Sequence, residues 1–96
     1  MISIINGTRY NTETAEWVGD YRSRDECGNP HYVTDFGFYY ADLHRTKKGA
    51  WFLETPEGIQ PITEDEAFDW LQETTSSGKD HVAALEEYFA DRIVNA

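Results

Sequence analysis

The chain opens with a pattern of apolar and polar positions that predicts a β-hairpin. Apolar residues fill most of positions 2–5, and Asn6-Gly7 follows, the dipeptide that type I′ hairpin turns favour. Residues 8–10 then return as a second strand. Because no basic residue precedes the short apolar run, the pattern indicates a strand and not a signal peptide.

The next segment carries signals for a short helix and then for a loop. Asn11 or Thr12 is placed to cap a helix that would run to about residue 18, with acidic residues in its first turn, and Gly19 limits that helix. Residues 22–31 are polar and contain Gly-Asn-Pro, which predicts an exposed loop.

An aromatic-rich hairpin is the clearest strand signal in the chain. Residues 36–45 alternate, with partly apolar side chains on both faces, residues 46–49 form a turn, and residues 50–54 form the partner strand. Residues 59–62 are predicted to be a short edge-like strand, because Pro61 has no backbone hydrogen to donate to a neighbour.

Two amphipathic helices are predicted in the last third of the chain. Thr63 and Glu66 form a capping box, in which each side chain accepts a hydrogen bond from the other residue's backbone, and the helix runs to about Thr74. Ser77 is placed to cap a last helix over residues 79–94. The apolar stripe of that last helix consists of Val82, Leu85, Phe89 and Ile93.

Together these elements predict an α+β fold, in which a small antiparallel sheet of two hairpins packs with C-terminal amphipathic helices. The 96 residues suit a single domain, with a sheet-forming part of about 1–62 and a helical part of about 63–96. No apolar run approaches the roughly 20 residues of a membrane span. With a single cysteine, no internal disulfide can form, so we expect a protein of the reducing cytoplasm.

Charge separates the helical part from the rest of the chain. The formal net charge is -10, and residues 63–96 contribute nine acids and two bases, or -7. On a helical wheel the acids gather on outer faces, at Asp65, Glu66, Asp69 and Glu73 in the first helix and at Asp80, Glu87 and Asp91 in the second. Like charges four residues apart destabilise a helix by about 0.2–0.5 kcal/mol per pair. The acidic faces therefore predict a surface for a basic partner, and solubility is the alternative explanation.

The chain carries no recognisable pattern of a catalytic or metal site. Cys27 and His31 are four residues apart and Asn29 is nearby, but nucleophilic catalysis also needs an orienting group and an oxyanion site. One cysteine and three scattered histidines lack the ligand spacing of a zinc site, and no phosphate-binding, dinucleotide-binding or EF-hand pattern occurs. We expect neither an enzyme nor a bound cofactor or metal.

Tyr39 and Tyr40 are further candidates for contact with a partner. Aromatic side chains on a hairpin can stack nucleic-acid bases, and Arg45, Lys47 and Lys48 follow closely in the sequence. The rest of the chain is acidic and repels phosphates. We therefore expect no direct nucleic-acid binding, but a protein complex with a basic nucleic-acid-binding surface as the partner. Packing of these aromatic residues into a core is the structural alternative.

Three blocks of sequence resemble small proteins encoded by phages and other mobile elements. Residues 5–16 are similar to their I-N-G-K-x-Y-D-T-x-T-A opening. Residues 43–53 resemble their L-Y-R-T-K-x-G-x-W/F-F-L segment, and residues 62–71 resemble their P-L-x-x-E-E-A-x-x-W-L helix. This chain departs from the pattern at residues 54–58, which replace a longer Gly- and Tyr-rich insert, and its last helix, 79–94, looks like an addition.

The resemblance implies a role for the acidic faces, since some small acidic phage proteins of this general kind are anti-CRISPR or other anti-defence inhibitors. The expected function is a non-enzymatic inhibitor of a host nucleic-acid-handling defence complex, acting in the host cytoplasm. The alternative is a self-associating accessory protein that dimerises through the apolar stripe of its last helix.

Overall fold

The computed structural model describes residues 1–22, 40–74 and 80–96. The elements of the described chain are β1 (Ile2–Ile5), β2 (Thr8–Asn11), β3 (Glu16–Arg22), β4 (Tyr40–Arg45), β5 (Trp51–Thr55), β6 (Gly58–Ile62), α1 (Glu64–Glu73), α2 (His81–Tyr88) and a 3₁₀ turn (Ala90–Arg92). The predicted α+β class is confirmed.

The strands form two antiparallel sheets. β1 pairs with β2 alone, whereas β3, β4, β5 and β6 form a four-stranded sheet in that order. The opening hairpin was predicted correctly, and its Asn6 and Gly7 have positive φ angles of 52° and 80°, as a type I′ turn requires. It is, however, separate from the sheet that contains the aromatic hairpin.

The helix predicted from residue 11 to about residue 18 is wrong. Asn11 Oδ1 accepts a hydrogen bond from the Glu13 amide at 2.9 Å, and the Asn11 carbonyl accepts one from the Ala15 amide at 3.1 Å. These bonds close a turn, and the chain leaves it as β3, which pairs with β4. An asparagine side chain can open either a helix or a turn, so the pairing with a distant strand decides the outcome. Of the predicted loop at 22–31, Arg22 ends β3 and the rest lies outside the described residues.

The structure agrees with the predictions of the second hairpin, the edge strand and the first helix in the residues that it describes. β4 and β5 pair in register, with Leu43 opposite Leu53, and β6 lies at the sheet edge with Pro61 opposite Phe52. Residues 36–39 of the predicted strand lie outside the described residues. The capping box is present: Thr63 Oγ1 accepts from the Glu66 amide at 3.1 Å, and Glu66 Oε1 accepts from the Thr63 amide at 2.9 Å.

The last helix is shorter than predicted, and both of its ends differ. Asp80 is the N-cap, because its Oδ1 accepts a hydrogen bond from the Ala83 amide at 3.1 Å, and Ser77, the predicted cap, lies outside the described residues. The helix ends at Tyr88 although neither glycine nor proline follows it. Phe89 leaves the helical conformation and stacks on Trp51, with ring centroids 5.4 Å apart.

The predicted apolar stripe divides into buried and exposed residues. Leu85 and Phe89 are buried, whereas Val82 and Ile93 are 54% and 42% exposed. The residues that α2 buries are His81, Ala84 and Leu85. The continuous stripe over residues 79–94 is therefore wrong: Val82 is helical but lies outside the buried face of α2, and Ile93 lies beyond the end of the helix at Tyr88.

The two faces of the four-stranded sheet have different coverings. Alternation along β5 directs Trp51 and Leu53 into the core under the helices and Phe52 to the opposite face. The core under the helices contains Val18, Ala41, Leu43, Trp51, Leu53, Ala67, Trp70, Leu71, Ala84, Leu85 and Phe89. On the opposite face Tyr10 of the opening hairpin contacts Phe52 edge to face, with centroids 5.4 Å apart. Among the described residues, no helix is both long enough and apolar enough to cross a membrane.

Candidate functional site

The acidic residues predicted on α1 are all exposed, but several of them have structural roles. Asp65 forms an ion pair with Arg92, with 2.9 Å between Oδ1 and Nη1, and Glu66 belongs to the capping box. Glu73 also interacts within the molecule. Asp69 has no hydrogen bond or ion pair with the residues that the structure describes, so its carboxylate is available to a partner.

Arg92 supplies a base that the helical wheel did not place on this surface. Its guanidinium lies 4.3 Å from the centroid of the Phe68 ring and 5.9 Å from that of Phe89. The 3₁₀ turn therefore folds back onto α1 and places a positive charge beside Asp65. The outer face of α1 itself carries no basic residue, as its sequence indicates, but Arg92 of the 3₁₀ turn lies beside it. The ion pair offsets part of the repulsion between Asp65 and Asp69.

The acidic residues predicted on the last helix separate into one cap and two outward carboxylates. Asp80 is committed to the α2 N-cap. Glu87 and Asp91 are exposed and make no ion pair within residues 1–22, 40–74 and 80–96. Three of the predicted contact residues thus have charges without an ion-pair partner in the described parts of the chain. They are Asp69, Glu87 and Asp91, and we call them the free carboxylates.

β3 contributes residues to this region that sequence analysis missed. Glu16 and Trp17 line a cleft of about 150 Å³ together with Asp80 and Glu87, and Trp17 is 46% exposed. We call this the acidic cleft. Sequence patterns do not indicate this cleft, because Glu16 and Trp17 were predicted to be helical and only the pairing of β3 in the sheet brings them beside α2.

One wall of the acidic cleft is fixed by a contact between distant residues. The Tyr88 hydroxyl donates a hydrogen bond to Glu16 Oε1. Burial, followed by this contact with Glu16, raises the pKa of Tyr88, so the phenol stays protonated across the physiological range. Arg45 lies opposite Glu16 in the sheet register, and its guanidinium is 5.5 Å from the Tyr88 ring centroid and 5.6 Å from that of Trp51. This contact network holds the end of α2, and with it Glu87, against the start of β3.

The two tyrosines predicted to contact a partner do not join this surface. Tyr39 lies outside the described residues. Tyr40 is half-buried at the start of β4, opposite Arg22, and interacts within the molecule. Since Glu16 pairs with Arg45 at the other end of β4, the length of the strand separates Tyr40 from the acidic cleft.

His81 is a fully buried titratable group behind the acidic surface. The Thr74 hydroxyl donates to the Trp70 carbonyl at 2.7 Å, so it must accept from His81 Nδ1, which lies 2.9 Å away. His81 Nε2 in turn accepts from the Asp20 amide at 3.2 Å. Both ring nitrogens of the neutral imidazole are thus occupied, and burial lowers the pKa of His81. Its role here is to join α1, α2 and β3.

The described residues contain no group of three or more side chains placed to hold a metal ion. Comparison of the chain with protein-family models, curated proteins and solved structures finds no match. The resemblance to proteins of mobile elements therefore stays a prediction.

Proposed function

We propose that this protein is a non-enzymatic inhibitor that binds a basic, nucleic-acid-binding surface of a host defence complex, in the manner of an anti-CRISPR protein. The observation that carries the proposal is the set of free carboxylates. Asp69, Glu87 and Asp91 are exposed, and they lie in a segment with nine acids and two bases. Exposed charges of one sign, unrelieved by local partners, favour association with a surface of opposite charge.

Inhibition would follow because the bound protein occupies the nucleic-acid-binding channel of the complex. A basic channel that normally holds DNA or RNA attracts the helical part of this protein through long-range electrostatics, and bound carboxylates then occupy the place of phosphates. The acidic cleft adds a concave subsite in which a lysine or arginine side chain of the partner can lie beside Glu87. This mechanism requires one inhibitor per site and no chemical step.

The experiment measures binding to purified effector complexes that contain basic nucleic-acid channels, and competition with their DNA or RNA. The test variant is Glu87→Lys/Asp91→Lys. We expect its association rate to fall at least about tenfold and to lose most of its dependence on salt, because exposed charges act mainly on the rate of encounter.

The matched control is Glu13→Lys/Glu57→Lys, which changes the net charge equally at two exposed residues away from the helices. An equal loss in both variants would show that only net charge matters. Failure of the parent protein to bind any such complex at micromolar concentration would remove the proposal.

Self-association is a second proposal, and the exposed apolar residues near the end of the chain favour it. Val82, Ile93 and Val94 line a groove of about 280 Å³ with Phe68 and Leu85, and Val94 is 89% exposed. Because two copies of a protein with charge -10 repel each other, added salt should strengthen self-association, whereas it should weaken binding to a basic partner. Sedimentation equilibrium at low and high salt separates the two, and a monomer at every concentration would exclude dimerisation.

A further inference from the structure

A basic cleft lies between the opening hairpin and the turn that joins β4 to β5. It has a volume of about 590 Å³, and none of the residues that line it is acidic. The polar residues that line it are Thr8, Arg9, Asn11, Thr14, Thr46, Lys47 and Lys48. Arg9 is far from the two lysines in sequence, so only the fold brings these three cations to one place.

The charge of this cleft is opposite to that of the whole molecule. The chain has 18 acids and 8 bases, yet three of the bases meet here without a carboxylate in the lining. Arg9, Lys47 and Lys48 are exposed and form no ion pair within the parts of the chain that the structure describes. Three cations that share a cleft repel one another, and an anion bound between them would relieve that repulsion.

Both walls of the cleft are held by contacts that do not involve a ligand. In the β4–β5 turn, the Thr46 amide donates to the Ala50 carbonyl at 2.8 Å and the Ala50 amide donates to Thr46 Oγ1 at 3.0 Å. The opening hairpin is anchored by the contact of Tyr10 with Phe52. The cations are thus presented on positioned backbone, which lowers the entropic cost of binding.

We propose that this basic cleft binds a small anion with two or more phosphate groups. The arginine can form a bidentate pair with phosphate oxygens, and the two lysines add point charges. The hydroxyls of Thr8 and Thr46 are neutral donors. The volume lies in the range of small-molecule sites. A nucleic-acid strand fits less well, because no aromatic side chain lines the cleft to stack a base and the net charge of -10 repels a long polyanion. The inference does not depend on the proposed function.

Titration with tripolyphosphate, followed by calorimetry and by amide chemical shifts, tests the proposal. We expect saturable binding with one site per chain and shifts at Arg9, Lys47 and Lys48. Arg9→Gln and Lys47→Gln should each weaken binding about tenfold or more, the usual effect of losing one charge-assisted hydrogen bond. Arg9→Lys should fall between parent and Arg9→Gln, because it keeps the charge and loses the bidentate geometry.

Asn95→Asp is the matched control, since it makes the net charge more negative by the same unit at an exposed residue outside the cleft. It should retain the parent affinity. Equal weakening in Asn95→Asp and Lys47→Gln would overturn the proposal in favour of a general charge effect. Tighter binding of a single-stranded oligonucleotide, lost in the same cleft variants, would overturn it in favour of a nucleic-acid site. Lys48→Gln, also at an exposed residue, is an independent second variant if Arg9→Gln fails to fold.

Discussion

The two faces of the four-stranded sheet are built differently. Under the helices, Leu43, Leu53, Trp70 and Leu71 have no exposed surface. On the other face Phe52 is equally buried, and Tyr10 of the opening hairpin contacts it. However, Ile2 and Ile4 of that hairpin are 57% and 65% exposed. The difference indicates that the helix-covered face provides most of the stability, whereas the hairpin adds less and forms one wall of the basic cleft.

The largest effect in this comparison is expected for Trp70→Ala. Trp70 is fully buried in the core, and its ring lies 5.2 Å from that of His81. Truncation leaves a cavity and should lower the free energy of unfolding by about 3–5 kcal/mol. Urea denaturation measures this. A loss below about 1 kcal/mol would mean that the helices contribute little to the stability of the sheet.

Gly19→Ala should have the next largest effect. A β-carbon at Gly19 would lie 2.7 Å from His81 Nε2 and 2.9 Å from His81 Cδ2. The imidazole cannot move aside easily, because it is fully buried and hydrogen-bonded to both Asp20 and Thr74. Overpacking of this kind costs about 1–3 kcal/mol, measurable by thermal or urea unfolding. Gly7→Ala serves as a comparison, because a β-carbon there has open space around it. In this variant the only cost is backbone strain, since alanine rarely adopts a φ of 80°.

Acidification should weaken the helix-covered face through His81. Its pKa in the folded protein is below 6.5, mainly because of burial, so the unfolded chain binds a proton at a higher pH than the folded chain does. The stability is therefore complete above about pH 6.5 and falls as the pH decreases towards the folded pKa. The slope for one proton is at most about 1.4 kcal/mol per pH unit. In His81→Gln the unfolding free energy should depend less on pH between 7 and 5, and parallel curves for the two proteins would contradict this.

The smallest effect in the comparison is expected for Tyr10→Leu on the hairpin-covered face. The change removes an aromatic pair worth about 0.5–1.5 kcal/mol and keeps an apolar side chain of similar burial. Hydrogen exchange should accelerate in β1 and β2 while the amides of β4 and β5 remain protected. Uniform acceleration over both sheets would show that the hairpin is as integral to the fold as the helices are.

Local signals account for the elements that the sequence predicted well. The Asn6-Gly7 turn and the Thr63–Glu66 capping box depend on residues that are adjacent or three apart, and both are present in the structure. The strand at 51–55 combines aromatic and aliphatic residues in a run that suits a buried strand. In each case short-range chemistry is sufficient to determine the backbone.

Contacts between distant residues decided the elements that were predicted wrongly. Asn11 and Thr12, which precede β3, are residues that often cap a helix, and only the pairing of β3 with β4 makes the following segment a strand. The end of α2 has no local breaker, and the contacts of Phe89 with Trp51 and Phe68 end the helix. The acidic cleft and the basic cleft were missed for the same reason, because each combines side chains from segments far apart in the sequence.

The bond from the Asp20 amide to His81 spans 61 residues, and the bond from Tyr88 to Glu16 spans 72. During synthesis on the ribosome, β3 therefore emerges long before the two residues that complete its surroundings. Until α2 arrives, α1 alone can cover this face, and the part of β3 that contacts His81 remains exposed. Long loops must close before these contacts form, so final docking of α2 is expected to be a late step of folding.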